Sequence, residues 1–264
     1  MNVLVVDVGG THVKVLVTGE TEPRKFDSGP ELTPHEMVAG VKKLAAGWNY
    51  EVVSVGFPGP VLRNRPIAEP PNLGKGWVGF NFKSAFGCPV KIVNDAAMQA
   101  LGSYRRGKML FIGLGTGLGS TMIVDGIVEP MELGHLPYKK ATYESYVGNG
   151  ALLKKGKKQW RRHVADVVAR LVAALEPDEI VLGGGNVKKL KTLPSKCRAG
   201  DNHNAFQGGF RLWEASEPAS IGRTALPSNS SKGKDNGNGN STSRNNLQAT
   251  AKETAGMEGP RSPL

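Results

Sequence analysis

Cysteine is nearly missing: Cys88 and Cys197 are the only two in 264 residues. Two thiols cannot build a disulfide framework or a four-cysteine zinc site. Long apolar runs are missing as well. None approaches the ~20 residues that a helical membrane crossing needs, so no membrane partner is expected. The chain opens without a basic segment leading into a cleavable apolar stretch. Val3-Leu4-Val5-Val6 reads instead as a buried strand, and a reducing, cytoplasmic setting is the expectation. Acidic residues are in deficit, 23 Asp and Glu against 34 Lys and Arg, for a net charge of +11. Such an excess invites anionic partners.

Residues 216–264 are Ser, Asn, Gly, Lys and Pro with scattered single apolar positions. That composition buries too little apolar surface to offset ordering entropy, so a disordered tail is expected. Its six basic and four acidic residues leave +9 on the body, where the basic bias therefore lies.

The body alternates strands and helices. Val3–Val8 and Val13–Thr18 flank a Gly-Gly-Thr turn, the layout of a hairpin. Thr33-Pro34-His35-Glu36 carries a helix start, with Thr as N-cap, Pro at N1 and Glu at N3, for a helix to about Trp48. Strands follow at Val52–Phe57 and Val90–Val93, the second feeding a helix over about Asp95–Arg105. Met109–Gly113, a glycine turn, Ser120–Val124 and Ile127–Glu129 around Asp125-Gly126 open a second half. Val164, Val167, Val168, Leu171, Val172 and Leu175 form one helical stripe, and Glu179–Leu182 is a strand ending in Gly183-Gly184-Gly185. Two halves that each open with a strand and a glycine turn predict a duplicated α/β fold with a cleft between them.

Each glycine turn taken alone has a plain reading. Asp7-Val8-Gly9-Gly10-Thr11 and Gly113-Leu114-Gly115-Thr116-Gly117-Leu118-Gly119 serve equally as tight hairpins or as phosphate cradles, and Gly183–Gly185 serves as a strand-to-helix turn. Together, in this order and spacing, they resemble the phosphate 1, phosphate 2 and adenosine segments of the sugar kinase/actin superfamily. Gly56-Phe-Pro-Gly-Pro60, Val93-Asn94-Asp95-Ala96 and Glu132-Leu133-Gly134-His135 are similar to motifs of the ROK family of bacterial sugar kinases. The resemblance runs over about residues 1–213.

That resemblance implies two ribonuclease H-like (actin-like ATPase) domains with an interdomain cleft, over 1–94 and 95–215. It implies Asp95 as the catalytic base accepting a hexose hydroxyl proton, and Asn72, Asn94, Glu132, His135 and Glu144 as further sugar contacts. Asp7, Gly9, Gly10, Thr11, Lys14, Gly115, Thr116, Gly117, Gly183, Gly184 and Gly185 would serve the donor, with Asp7 holding Mg2+ through water. Many members of the family carry a cysteine-rich zinc loop after the Glu-x-Gly-His motif. Here Leu136–Glu144 holds no thiolate, a pattern closer to polyphosphate glucokinases, and no zinc is expected. On its residues alone, Asp95 reads equally as a helix N-cap. Glu132, His135 and Glu144 read alone as solvated or structural residues.

Lys154-Lys155-Gly-Lys157-Lys158-Gln-Trp160-Arg161-Arg162 is the densest basic run. It reads either as a solvated helix face or as a track for an extended polyanion. No base-reading motif accompanies it, and Asp7 follows the first strand too closely for the helix-turn-helix of the family's repressors, so no nucleic acid is expected. The expectation is a glucokinase-type enzyme, a homodimer, using ATP or polyphosphate with Mg2+ on the 6-hydroxyl of a hexose, glucose first. A kinase for fructose, mannose or an N-acetylhexosamine is the alternative within the class. A catalytically idle sugar-binding regulator is the alternative outside it.

Overall fold

The computed structural model describes residues 1–201 and 203–214, so the expectation for 216–264 lies outside the described residues. Chain order gives β1 (Val3–Val8), β2 (His12–Val17), β3 (Arg24–Asp27), α1 (Pro34–Leu44), β4 (Val52–Phe57), the hairpin β5 (Val61–Leu62) and β6 (Arg65–Pro66), α2 (Phe82–Phe86), β7 (Val90–Asn94) and α3 (Asp95–Ser103). A second series follows: β8 (Lys108–Leu114), β9 (Leu118–Val124), β10 (Ile127–Met131), the hairpin β11 (Pro137–Tyr138) and β12 (Ala141–Thr142), α4 (Glu144–Val147), α5 (Asn149–Leu175), β13 (Glu179–Gly183), β14 (Cys197–Ala199) and α6 (Asn204–Arg211).

The strands form two five-stranded sheets, ordered β3-β2-β1-β4-β7 and β10-β9-β8-β13-β14. In each, a strand pairs antiparallel with the next to make a meander, then parallel with a later strand. The expected duplication is thus present in the topology. Its cause is visible in the sequence, where short glycine turns close the hairpins and helical crossovers join the parallel strands.

Period-two alternation explains how the layers stack. On β1, Leu4, Val6 and Val8 face a core shared with Met37 and Val41 of α1. Val3 and Val5 face the other way, onto Met98 of α3 and Ala205 and Phe206 of α6. On β8, Leu110, Ile112 and Leu114 pack on Val164, Val167, Val168 and Leu171 of α5. Met109 and Phe111 instead meet Ala96 and Ala100 of α3. One short helix, α3, is therefore packed against both sheets.

Several boundaries differ from expectation. The capping box forms as predicted: Glu36 N–H donates to Thr33 Oγ1 and Thr33 N–H to Glu36 Oε2. Yet α1 stops at Leu44 rather than near Trp48, because Gly47 takes a left-handed φ of 84° just beyond it. β3 is an exposed edge strand of charged residues with no alternation to reveal it. The stripe expected over 164–175 is only the second part of α5, which begins at Asn149 and breaks at Gly156 (φ 76°, ψ 161°). A side chain is strained in that conformation, so the break is written by the glycine. The basic run lies across it. No helix of the described residues is long and apolar enough to cross a membrane.

Candidate functional site

Asp95 is the first residue of α3, and its neighbour does the capping. Asn94 Oδ1 accepts from the N–H groups of Ala96 and Ala97 at 2.9 and 3.3 Å, while Asn94 Nδ2 donates to Gly59 O at 3.1 Å. Asp95 is therefore not the N-cap, and Asn94, expected to bind sugar hydroxyls, lines the cleft while its amide also serves the helix and the Gly59 turn. The Asp95 carboxylate keeps one local tie, from Ala96 N–H at 2.8 Å to Oδ1.

Two glycines admit the end of α3 between the sheets. A Cβ on Gly56 of β4 would fall on the Met98 side chain and 3.7 Å from Asp95 Cα. A Cβ on Gly119 of β9 would lie 2.9 Å from that of Ala96. The missing side chains set how close Asp95 comes to both glycine turns.

Asp7 follows Val3 and Val5 on the α3 face of β1 and stands opposite Lys14 of β2 and Gly56 of β4 in register. Its side chain is 17% exposed, with Lys14 Nζ at 3.9 Å from Oδ2. Burial raises the Asp7 pKa above the usual carboxylate range, and Lys14 offsets part of that rise. Asp95 is pushed up to about 7, first by burial and then by repulsion from Asp7. Two carboxylates share this corner with one lysine. The surplus of negative charge fits a divalent cation that arrives with donor phosphates and keeps most of its water shell, as Mg2+ does. Among the described residues no group of three or more His, Cys, Asp or Glu is arranged to hold a metal.

A cleft of about 900 Å³ opens in front of Asp95. Gly9, Gly10 and Thr11 line it from the first sheet, and Gly115, Thr116, Gly117 and Gly184 from the second; Asn72, Asn94, Glu132, His135 and Glu144 complete the expected set. Asp7, Lys14, Gly183 and Gly185 are not on its wall. Asp7 and Lys14 stand behind the first turn. A Cβ on Gly183 would press into the Phe111 ring, and Gly185 faces open space. Gly184 has a φ of 85°, and a Cβ there would lie 2.5 Å from Leu114 O.

The turns are tied down from outside. Ser28 Oγ donates to Gly9 O at 2.6 Å. Asn149 N–H, at the start of α5, donates to Gly115 O, and Asn186 Nδ2 donates to the same oxygen at 3.2 Å. Glu144 Oε2 accepts Leu118 N–H at 3.0 Å, where any side chain on Gly117 would collide with it. Glu144 thus props the second phosphate turn, a role its sequence context did not reveal. Glu132 and His135 are open to solvent at 59% and 74%, with His135 Nε2 3.7 Å from Glu132 Oε2. The 3-10 turn between them is fixed by Ser120, whose Oγ accepts Leu133 N–H and donates to Met131 O.

The sequence reading missed Gln99, which also lines the cleft. Its spacing of four from Asp95 on one helix was the available signal.

Comparison with known proteins bears on this arrangement. A model of the ROK family matches residues 3–153. A polyphosphate glucokinase of Mycobacterium tuberculosis (strain CDC 1551 / Oshkosh) is 26% identical over 206 residues, 70% of this chain and 77% of that protein. The inorganic polyphosphate/ATP-glucomannokinase of Arthrobacter sp. strain KM superposes with a TM-score of 0.69 at 22% identity, over 79% of this chain and 96% of that one. A ROK family glucokinase from Streptomyces griseus, solved with glucose and AMPPNP, gives a TM-score of 0.67 at 18% identity, over 80% and 99% of the two chains. Both solved structures share the α/β sugar kinase fold described here.

Proposed function

Because the chain belongs to the ROK family, we propose that it transfers a phosphoryl group from ATP or polyphosphate to the 6-hydroxyl of a hexose, with glucose as the first substrate. One observation carries this reading. One half-buried carboxylate, Asp95, stands in one cleft between two glycine turns and the residues Asn72, Glu132 and His135. Phosphoryl transfer needs mostly positioning and charge neutralisation, plus one group to take the hydroxyl proton. Asp95 takes that proton as the hydroxyl attacks in line. Gly10 and Thr11 would present backbone N–H groups to the donor from one side, and Thr116 and Gly117 from the other, while Gly9 N–H and Gly115 N–H close their own turns on His12 O and Gly117 O. Asp7 would hold Mg2+ through water, and the ion would neutralise donor phosphate charge. The halves on either side of α3 would act as two domains closing on the substrates and excluding water.

A panel of glucose, mannose, fructose and N-acetylhexosamines against ATP and polyphosphate tests the reading. Glucose-dependent consumption of donor supports it. Hexose binding with no donor consumed by any pair would leave a sugar-binding regulator.

The pH dependence follows from Asp95. A base must be ionised, so kcat/KM should fall about tenfold per pH unit on the acid side of an apparent pKa of about 7. Asp7→Asn removes the like charge and should move that limb to lower pH, whatever it costs in rate. A limb that stays in place would show that Asp7 does not act on Asp95.

The donor reading leans on the +9 body and on the basic run. Lys154, Lys157, Lys158 and Arg162 are exposed, and none of them pairs with a carboxylate of the described residues. Lys155 is occupied otherwise, its Nζ 4.8 Å above the Tyr146 ring. Neutralising Lys154, Lys157 and Lys158 should raise KM for polyphosphate in a salt-sensitive way and spare KM for ATP. Equal loss with both donors would contradict a polyanion track.

A further inference from the structure

The sugar-facing segment runs from Glu132 to Glu144, and its middle folds back as the β11-β12 hairpin. Tyr143 N–H donates to Leu136 O at the base of the hairpin, so His135 and Glu144 flank that base. The His135 side chain is 74% exposed and has Glu132 as its ion-pair neighbour at 3.7 Å. Its place in the cleft is therefore set by the backbone on both sides, the turn held by Ser120 before it and the hairpin after it.

That backbone is pinned at Tyr138, which is 3% exposed. The Tyr138 hydroxyl donates to Asp166 Oδ2 at 2.7 Å and sits 3.1 Å from His163 Nδ1, both residues on α5. Rings close around it: Tyr146 at 5.0 Å, Tyr143 at 5.4 Å and His163 at 5.8 Å between centroids. The protons can be assigned by counting. An ionised Asp166 only accepts, so it takes the single hydroxyl hydrogen. His163 must then donate from Nδ1 to the tyrosine oxygen, which leaves Nε2 bare. Nε2 is buried with no partner among the described residues, as a neutral ring of that tautomer allows. The surroundings agree. Burial and the Asp166 bond push Tyr138 up to about 12, burial lowers His163, and the Tyr138 bond lowers Asp166.

We propose that Tyr138, held by Asp166 and His163, is the positioning residue that fixes His135 and its hairpin against the hexose. The claim rests on the sugar-side reading of the cleft given above. Tyr138 touches no substrate and acts through the loop. Tyr138 and His163 are buried and Asp166 reaches solvent on the Arg170 side, so the network ties the hairpin to α5 in one geometry where apolar packing alone leaves several.

Tyr138→Phe keeps the ring and removes the bonds. Loss of one or two hydrogen bonds in this setting corresponds to ~3–10-fold in affinity, so hexose KM and the hexose Kd should rise by that factor. KM for the donor and the acid limb assigned to Asp95 should not move. Asp166→Ala, which also frees Arg170, should raise hexose KM in the same direction, and the double variant should fall short of the sum of the two singles, because both remove the shared Tyr138–Asp166 contact. Asp166→Asn, which retains an acceptor for the hydroxyl, should recover most of the affinity. A Tyr138→Phe enzyme that melts lower but binds hexose as well as the wild type would overturn the proposal. So would additive effects in the double variant. Wild-type protein that binds no hexose would instead remove the sugar-side reading, and the positioning role with it.

Discussion

Asp95→Asn is expected to cut kcat by a factor of about 10²–10⁴, the usual scale for removing a general base. The two side chains are nearly isosteric, and the cap of α3 belongs to Asn94, so the substitution leaves the helix start intact. The amide cannot take the hydroxyl proton. The loss should appear in kcat with little change in hexose KM, because the missing interaction belongs to the transition state. Stability should move the other way. Native Asp95 holds its proton up to about pH 7, whereas the unfolded side chain releases it near its ordinary value of 3.8. Stability from this group is thus present at low pH and is lost as pH rises through that window. Above it, the wild type carries a buried charge that Asp95→Asn lacks. The variant should melt at the same temperature or higher at pH 8. A variant turning over near the wild-type rate would move the search for the base to Glu132, since Glu144 is engaged with Leu118 N–H.

Gly208→Val is expected to do the opposite, lowering stability and activity together. Helices α3 and α6 touch backbone to backbone. A Cβ on Gly208 would fall inside the contact radius of Met98 O, and one on Gly102 would do the same to Asn204 O. Neither obstacle is a flexible side-chain end. Behind α6, Gly209 O accepts from Ser54 Oγ at 2.6 Å and Leu212 O from Lys91 Nζ at 2.6 Å, so the helix cannot back away freely. Overpacking of this kind costs about 1–3 kcal/mol and more when the obstacle is backbone. For a domain of this size ~3 kcal/mol corresponds to a fall of roughly 6–12 °C in Tm. Turnover should fall as well, since α3 carries Asp95. Thermal melts of Gly208→Ala and Gly208→Val check it, with the larger side chain expected to do more damage. Unchanged melting in both would mean that the two helices are not in contact.

These two sites show what the chain discloses and what it hides. The strand-turn-strand units, the capping box at Thr33 and the Asp125-Gly126 hairpin are local, each written in adjacent residues, and the sequence predicts them all. The two glycine turns and the strand-to-helix step at Asp95, which the structure brings to one cleft, are legible for the same reason. Helix α6 is not. Its Asn-Ala-Phe-Gln-Gly-Gly-Phe-Arg core carries two residues of poor helix propensity, Gly208 needed by α3, about a hundred residues earlier, and Gly209 by Val5 of β1. Gly56 and Gly119 are the same case, since their meaning is the passage of α3 between two sheets. The choice between Asn94 and Asp95 as cap is hidden for a different reason. Both residue types cap well, and only the Gly59 carbonyl beside the Asn94 amide decides it. Tyr138 looks like an ordinary loop aromatic until α5 brings Asp166 and His163 beneath it.

The central claim is that Asp95 delivers the 6-hydroxyl of a hexose to a donor phosphoryl group. A phosphorus NMR time course with glucose, ATP and Mg2+, run on wild type and on Asp95→Asn, tests it most directly. The account predicts one glucose 6-phosphate formed for each ATP consumed by the wild type, and neither signal changing on that timescale with the variant. ATP hydrolysed to free phosphate at the same rate with and without glucose, or a product phosphorylated at another hydroxyl, would contradict it.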